Sequence, residues 1–210
     1  AAPVAQAPRV YAPIDYNIAN DPENILLLDL SNGKRVAIRL MPDWAPNHIE
    51  RVKTLTRAGF YDGVKFHRVI EGFMAQGGDP TGTGTGGSDL GTLPAEFTRQ
   101  RGFVRGTVGA ARTGDPNSAN SQFYIMFAPA PHLDGQYTIV GNVVSGMEVV
   151  DAIKRGEITV QFRRWKRATV RPGGTLKTKV GILSIGRIDP STVEQVSEED
   201  CRTAGFDDKA

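Results

Sequence analysis

The histidines and the cysteine are the side chains most able to bind a metal ion or to act as nucleophiles. His48, His67, His132 and Cys201 lie far apart in the sequence and show no metal-ligand spacing. A single cysteine excludes an internal disulfide. No G-x-S-x-G motif is present to expose a nucleophilic serine. The sequence therefore predicts no metal and no other cofactor, and it does not favour a Ser/His/Asp hydrolase.

A glycine-rich run at residues 82–87 (GTGTGG) matches the G-x-G-x-x-G pattern of dinucleotide-binding proteins. That pattern binds a nucleotide only when a strand precedes it and a helix follows it. Here residues 76–80 (QGGDP) precede the run and residues 88–94 (SDLGTLP) follow it, which is typical of neither element. We therefore interpret the run as a surface loop.

The strongest signal is the fourteen-residue block at positions 66–79 (FHRVIEGFMAQGGD). It is followed in order by residues 106–111 (GTVGAA), 120–125 (NSQFYI) and 133–135 (LDG), and it is preceded by residues 60–63 (FYDG). These motifs closely resemble those of the cyclophilin family of peptidyl-prolyl cis-trans isomerases. The resemblance extends over residues 24–188.

The resemblance implies an enzyme that needs no nucleophile, because rotation about an X–Pro bond breaks no covalent bond. Arg68 matches the catalytic arginine of the family. A guanidinium suits this role because it stays protonated and presents several donors in a rigid fork. By resemblance, the remaining positions contact the peptide: Phe73, Met74, Tyr124 and Leu133 line a slot for proline, Tyr137 lies at its edge, Gln76 and Gln122 contact the peptide and orient the arginine, and Ala111 and Arg112 pair with the peptide backbone.

Strand periodicity divides the residues around position 123 between two faces. Side chains alternate along a strand, so Gln122 and Tyr124 share one face while Phe123 and Ile125 share the other. One face can then line a groove while the other fills the interior. Aromatic residues and methionine are also usual core residues, so simple core packing remains an alternative for each slot position.

Several positions depart from the family pattern. By resemblance, His132 is a further substrate-binding residue, at the rim of the slot. It stands where many relatives carry tryptophan and some bacterial ones phenylalanine; that tryptophan contributes to binding cyclosporin, so we expect weak cyclosporin binding. Tyr137 replaces a frequent histidine, and Tyr124 replaces a frequent phenylalanine. Arg112 replaces a frequent asparagine and adds a positive charge beside the substrate path.

The elements around these motifs are mostly short strands. Residues 25–40 predict a hairpin turned at Asn32-Gly33. One helix is predicted from Ala45-Pro46 to Gly59 and another over residues 147–154. Further strands are predicted at residues 122–127 and 137–144, with a closing strand at 180–188. Together with the resemblance, this pattern predicts a mainly β fold, an eight-stranded closed antiparallel barrel capped by two α-helices.

Composition fits one globular core. The chain has 210 residues, 40% of them hydrophobic, and no apolar run approaches the roughly 18 residues of a membrane span. Its 25 Lys and Arg against 23 Asp and Glu give a net charge of +2, which predicts no polyanionic partner. Residues 156–179 are locally basic. We interpret them as an insertion forming a β-extension, with nucleic-acid binding as the less favoured alternative.

The chain is expected to contain a flexible segment at residues 1–20, an isomerase domain at residues 21–190 with the basic insertion, and an acidic tail at residues 191–210. The first residues (AAPVAQAP) resemble what remains after signal-peptide cleavage, so a periplasmic or otherwise exported protein is expected. If the start is only a domain boundary, a cytoplasmic location is the alternative.

The predicted function is isomerisation of X–Pro bonds in proline-containing polypeptides, in support of protein folding. The alternative is a holdase or assembly factor that binds peptides in the same groove and uses the basic insertion.

Overall fold

The structure is a computed structural model that describes residues 11–31, 33–154, 175–178 and 181–184. The chain divides into two compact units, Ala1–Arg164 and Trp165–Ala210. The predicted acidic tail and most of the basic insertion lie outside the described residues, as do residues 1–10 of the predicted N-terminal segment. The proposed domain boundaries therefore stay predictions.

The predicted N-terminal hairpin is confirmed. Strands β1 (Ile25–Asp29) and β2 (Arg35–Leu40) pair antiparallel. Gly33 in the connecting turn has a φ of 78°, in the left-handed region that glycine adopts without steric cost. The period-2 pattern of β2 correctly predicted that Ile38 and its alternating neighbours face the core.

The other face of β2 is covered as well, which the alternating pattern did not predict. Arg39 is only 5% exposed. Its guanidinium donates hydrogen bonds to the backbone carbonyls of Asp15, Asn17 and Asn20, at 2.7–2.9 Å. Residues 15–20 therefore cover this part of β2, and three carbonyl acceptors replace the solvent that the buried charge has lost.

Helix α1 (Pro46–Arg57) begins at the predicted proline, whose fixed φ suits a first helical turn. No side chain next to the helix start caps it. Instead, the distant Glu96 accepts hydrogen bonds from the backbone N–H groups of Asn47 (3.1 Å) and His48 (3.0 Å). Gly59, with a φ of 73°, follows the helix end.

Five further strands complete the main sheet: β3 (Arg68–Ile70), β4 (Met74–Gly77), β5 (Thr107–Ala110), β6 (Phe123–Met126) and β7 (Ile139–Ser145). The order is β1-β2-β7-β5-β6-β4-β3, and all neighbours are antiparallel. The second helix, α2 (Met147–Lys154), has the predicted bounds. The fold is therefore mainly β, with a curled sheet and two α-helices.

The eight-stranded closed barrel is not confirmed. The main sheet has seven strands among the described residues, and β1 and β3 form its two edges. Of the predicted closing strand at residues 180–188, the structure describes β9 (Gly181–Ser184). Within the second unit, β9 pairs with β8 (Thr175–Thr178) in a two-stranded sheet.

The two faces of the main sheet bury two separate hydrophobic clusters. Phe123 and Ile125 belong to the larger cluster, which includes residues of both helices. Tyr124 and Met126 belong to a smaller cluster with Met74. The alternation predicted for residues 123–125 is therefore confirmed, and the smaller cluster marks the face expected to form a groove.

Candidate active site

Strand register places the predicted arginine on the same face as the smaller cluster. Arg68 on β3 is directly opposite Gln76 on β4, and Gln76 is opposite Tyr124 on β6. Met74 lies two residues before Gln76, opposite Met126. Directly opposed residues of antiparallel strands share a face, so these side chains project together into one groove.

A line of neutral amides holds Arg68. Its Nη1 donates a hydrogen bond to Gln76 Oε1 at 3.2 Å. Gln76 Nε2 then donates to Gln122 Oε1 at 2.8 Å. Arg68 is exposed and makes no ion pair with a carboxylate among the described residues. The guanidinium is thus oriented while its charge stays uncompensated.

The amide line ends on the glycine-rich loop at residues 82–87. Gln122 Nε2 donates to the backbone carbonyls of Gly84 (3.0 Å) and Gly86 (2.8 Å). The predicted surface loop is confirmed, because no strand or helix adjoins it. Its conformation therefore positions Gln122 and, through Gln76, the arginine.

The carboxylate of Asp79 organises this loop. It is fully buried and accepts hydrogen bonds from the backbone N–H groups of Thr81, Thr83, Gly84 and Gly86 and from the Thr81 hydroxyl. Burial by itself would raise the pKa of Asp79, but these hydrogen bonds hold it well below its usual range. Asp79 therefore stays ionised and fixes the loop.

The predicted slot residues lie together in the smaller hydrophobic cluster. Met74 and Tyr124 are buried, and Phe73, Leu133 and Tyr137 pack against them while partly exposed. The Tyr124 and Tyr137 rings meet edge to face, with their centroids 6.0 Å apart. The groove therefore has an apolar section suited to a proline ring beside its polar amide line.

Gly109 makes room for the tyrosine in this wall. It lies opposite Tyr124 in the sheet, and a Cβ at position 109 would come within 2.6 Å of the Tyr124 hydroxyl oxygen. That hydroxyl is buried without a hydrogen-bond partner among the described residues. Burial chiefly, with the neighbouring Tyr137, raises the pKa of Tyr124 well above its usual range. The hydroxyl is therefore neutral.

Arg112 lies between the slot and the loop. Its Nε and Nη2 donate to the Gln136 carbonyl, and its Nη1 donates to the carbonyls of Thr113 and Gly114. Its Cζ lies 4.2 Å from the centroid of the Tyr137 ring, a cation–π geometry. The backbone N–H of the neighbouring Ala111 is bonded to the Gln122 carbonyl. Both predicted backbone-pairing residues therefore border the groove.

His132 stacks on the outer side of the slot. Its ring is nearly parallel to that of Phe73, at 18°, with centroids 6.0 Å apart. The side chain is exposed.

No group of three or more His, Cys, Asp or Glu side chains that could hold a metal is found in the described part of the chain. Nor does a helix there have the length and apolar character needed to cross a membrane.

A second cavity of about 460 Å³ adjoins the amide line. It shares Gln76, Gln122, Ala111 and Arg112 with the groove, and residues of the glycine-rich loop form its far side.

Sequence reasoning did not predict this cavity, nor the roles of Asp79 and Gly109. An aspartate followed by a Gly- and Thr-rich run does carry a turn signal, because short acidic side chains bond to nearby backbone N–H groups.

Comparisons with known proteins agree with this arrangement. The family model for cyclophilin-type peptidyl-prolyl cis-trans isomerases matches residues 26–187. A probable peptidyl-prolyl cis-trans isomerase of Brucella suis is 56% identical over 149 residues, which cover 66% of this chain and 75% of that protein. Peptidyl-prolyl cis-trans isomerase B of Bacillus subtilis is 38% identical over 135 residues, covering 64% of this chain and 93% of that protein.

A solved structure is similar in fold as well as in sequence. It is a cyclophilin-type isomerase of Cryptosporidium parvum, solved in the presence of the dipeptide Ala-Pro. It matches with a TM-score of 0.62 and 26% identity, over 66% of this chain and 95% of that one. Sequence, fold and groove agree: the chain belongs to the cyclophilin-type peptidyl-prolyl cis-trans isomerase family.

Proposed function

We propose that the groove catalyses rotation about X–Pro bonds and that Arg68 is its catalytic residue. The observation that carries this proposal is the amide-held, uncompensated guanidinium beside an apolar section of the same groove. The family's activity supports it, as does the Ala-Pro dipeptide named for the Cryptosporidium parvum relative.

The chemistry follows from the nature of the barrier. Delocalisation of the nitrogen lone pair into the carbonyl gives the peptide bond a rotation barrier of about 18–20 kcal/mol. At the twisted state the lone pair is localised on nitrogen, which then becomes a better hydrogen-bond acceptor. A guanidinium that donates to this nitrogen stabilises the twisted state more than either planar state, and only such differential binding accelerates the reaction.

The other groove residues hold the substrate. The slot around Phe73, Met74 and Leu133 takes the proline ring, because burying its apolar surface is favourable. Among the described residues, the backbone N–H and carbonyl of Arg112 make no intramolecular hydrogen bond. They are the groups we propose to pair with the backbone of an extended peptide.

Replacing Arg68 with alanine tests the catalytic role. A hydrogen bond from a charged donor contributes about 1.5–3 kcal/mol, so kcat/KM on an Xaa-Pro peptide should fall by roughly 10- to 100-fold. The melting temperature should stay unchanged, since Arg68 is exposed. Arg57→Ala, on the surface of α1, is the matched control. An inactive wild type that still binds the peptide would favour the holdase, and undiminished activity of Arg68→Ala would refute the role of Arg68.

The proposal extends to the closed barrel. Val69 lies on the core face of edge strand β3, opposite the fully buried Ala75, yet it is 39% exposed. An eighth strand that paired with this edge and with β1 would cover Val69 and close the sheet. Truncation after residue 179 should then lower the melting temperature strongly, whereas truncation after residue 190 should not. Equal melting temperatures for the two truncations would rule out such closure.

The proposal also covers cyclosporin and the compartment. Because His132 offers a smaller ring than tryptophan over Phe73, we propose weak inhibition by cyclosporin that tightens in His132→Trp; equal inhibition of both proteins would contradict this.

We also propose that the substrates are unfolded or newly exported polypeptides. Cell fractionation with a precursor of greater mass would support export, and a solely cytoplasmic, unprocessed protein would contradict it.

A further inference from the structure

Two arginines give the groove an uncompensated positive charge. Arg35, Arg39, Arg57 and Arg105 each have a carboxylate oxygen within 4 Å. Among the described residues, Arg68 makes no such contact, and neither does Arg112, whose hydrogen bonds all go to neutral carbonyls. Both groove arginines therefore keep their full charge for a ligand, in addition to any catalytic use of Arg68.

The Arg112 guanidinium is held in place before any ligand arrives. Four hydrogen bonds to three backbone carbonyls and the stack on Tyr137 fix it from several directions. A charge that is already ordered loses little side-chain entropy on binding. This differs from an ordinary surface arginine, which must be immobilised to form an ion pair.

Arg112 also borders the second cavity. Arg112 is the only charged residue among the described residues that line the cavity; the others are glycine, alanine or neutral polar residues. Of the acids close in sequence to the lining residues, Asp79 is buried and directed to the N–H groups of the glycine-rich loop, whereas Asp89 and Asp115 are exposed and do not line the cavity. An anionic side chain entering the cavity therefore meets a cation without an opposing carboxylate in the lining.

We propose that the groove prefers X–Pro substrates carrying an oxyanion side chain, such as glutamate, aspartate or phosphoserine, near the proline, and that Arg112 determines this preference. The inference rests on the proposed function and names its substrate class. The cavity receives the anionic side chain while the slot holds the proline, and the shared residues Gln76 and Gln122 separate the two. A lysine in the same position is disfavoured by repulsion from Arg112.

Matched peptides test this preference. In one series a single glutamate is moved through three positions before the proline and two after it; in another, glutamine takes each place, and in a third, phosphoserine. Cis–trans exchange is measured by NMR, because a coupled protease would add its own charge preference. We expect kcat/KM to be about two- to fivefold higher for glutamate than for glutamine at one position, the range of a partly exposed ion pair. Phosphoserine should give a larger ratio because its charge is greater.

Variants assign the preference to Arg112. The glutamate-to-glutamine ratio should fall to about one in Arg112→Gln and below one in Arg112→Glu. The control Arg57→Gln removes the same charge from α1 and should keep the wild-type ratio. The ratio should also shrink in 1 M NaCl, where the screening length is about 3 Å.

The outcomes separate this inference from the proposed function. Equal rates for glutamate and glutamine at every position, in a wild type that isomerises both peptides, would overturn the oxyanion preference alone. An Arg112→Gln variant with the wild-type ratio would overturn the role of Arg112. A wild type inactive on all the peptides would refute the proposed function and this inference with it.

Discussion

Replacing Gly109 with alanine should narrow the slot without replacing any side chain that is proposed to contact the substrate. The new Cβ would lie 2.5 Å from Cζ of Tyr124 and 2.7 Å from Cε1 of Phe103. Ordinary van der Waals contact begins at 3.4 Å, so the tyrosine ring must move by the difference of 0.9 Å. Phe103 is 1% exposed and stacks on Tyr124, so relieving both contacts requires the two rings or the backbone at position 109 to shift. Because Tyr124 also packs against Tyr137 at the slot, a shift of its ring alters the wall of the slot.

The expected cost divides between stability and activity. Overpacking of this kind lowers the free energy of unfolding by about 1–3 kcal/mol. A total stability of about 5–15 kcal/mol would leave the variant folded at 25 °C. Displacement of a binding wall by nearly 1 Å can reduce activity by about 100-fold. We therefore expect kcat/KM on an Xaa-Pro peptide to fall by one to two orders of magnitude, as measured by NMR exchange.

Gly114 provides the matched control, because a Cβ there meets no heavy atom within 4 Å. Gly114→Ala should therefore keep the wild-type activity and melting temperature. If Gly109→Ala were as active as Gly114→Ala while folded, the Tyr124 ring would not form a wall of the working slot. Loss of activity in both variants would instead show that this segment tolerates no added methyl group.

Three further predictions concern buried polar groups. Tyr124→Phe removes an unpartnered buried hydroxyl and should raise the free energy of unfolding by about 1 kcal/mol in urea titrations; a decrease would mean that the hydroxyl is bonded. Asp79→Asn should lower both the melting temperature and kcat, because the loop that holds Gln122 loses its ionised acceptor; unchanged kcat would contradict the amide line. Burial lowers the pKa of His48 in the folded protein, despite the opposing hydrogen bond to Glu96. Below about pH 6.5 the unfolded chain therefore binds more protons than the folded protein, and acid lowers the free energy of unfolding. Melting temperatures between pH 7 and pH 5 should fall less in His48→Gln than in the wild type, and an equal fall would contradict this.

Local patterns were sufficient to predict β6 and α1, but not β3 and β4, which carry Arg68, Met74 and Gln76. The alternation around Phe123 correctly separated core from groove residues, because a strand imposes a period of two wherever each face packs against something different. The proline and glycine signals at Pro46 and Gly59 correctly placed α1. The motif resemblance identified Arg68 and ten substrate-binding residues, and the structure places these eleven residues around one groove. Their roles in binding and catalysis stay predictions.

Contacts between distant parts of the chain could not be predicted in this way. Glu96 binds the start of α1 from 49 residues beyond Asn47, and nothing near the helix start signals it. Arg39 has the alternating position of a solvent-facing residue, but residues 15–20 cover it. The requirement for glycine at position 109 follows only from its register opposite Tyr124. Each of these depends on the pairing of segments, which no local pattern records.

The charge that Arg68 presents to a ligand depends on how far the nearest carboxylate lies from its guanidinium. A carboxylate at position 76 would orient Arg68 as well as the amide does, but it would also neutralise the guanidinium and weaken its attraction for a localised lone pair. Gln76 orients Arg68 without neutralising it, and Gln122 transmits the position of the glycine-rich loop. The carboxylate that orders this loop, Asp79, is buried and saturated with donors. Because Asp79 acts through two amides, Arg68 has a fixed direction and an undiminished charge, and the catalytic role proposed for Arg68 requires both.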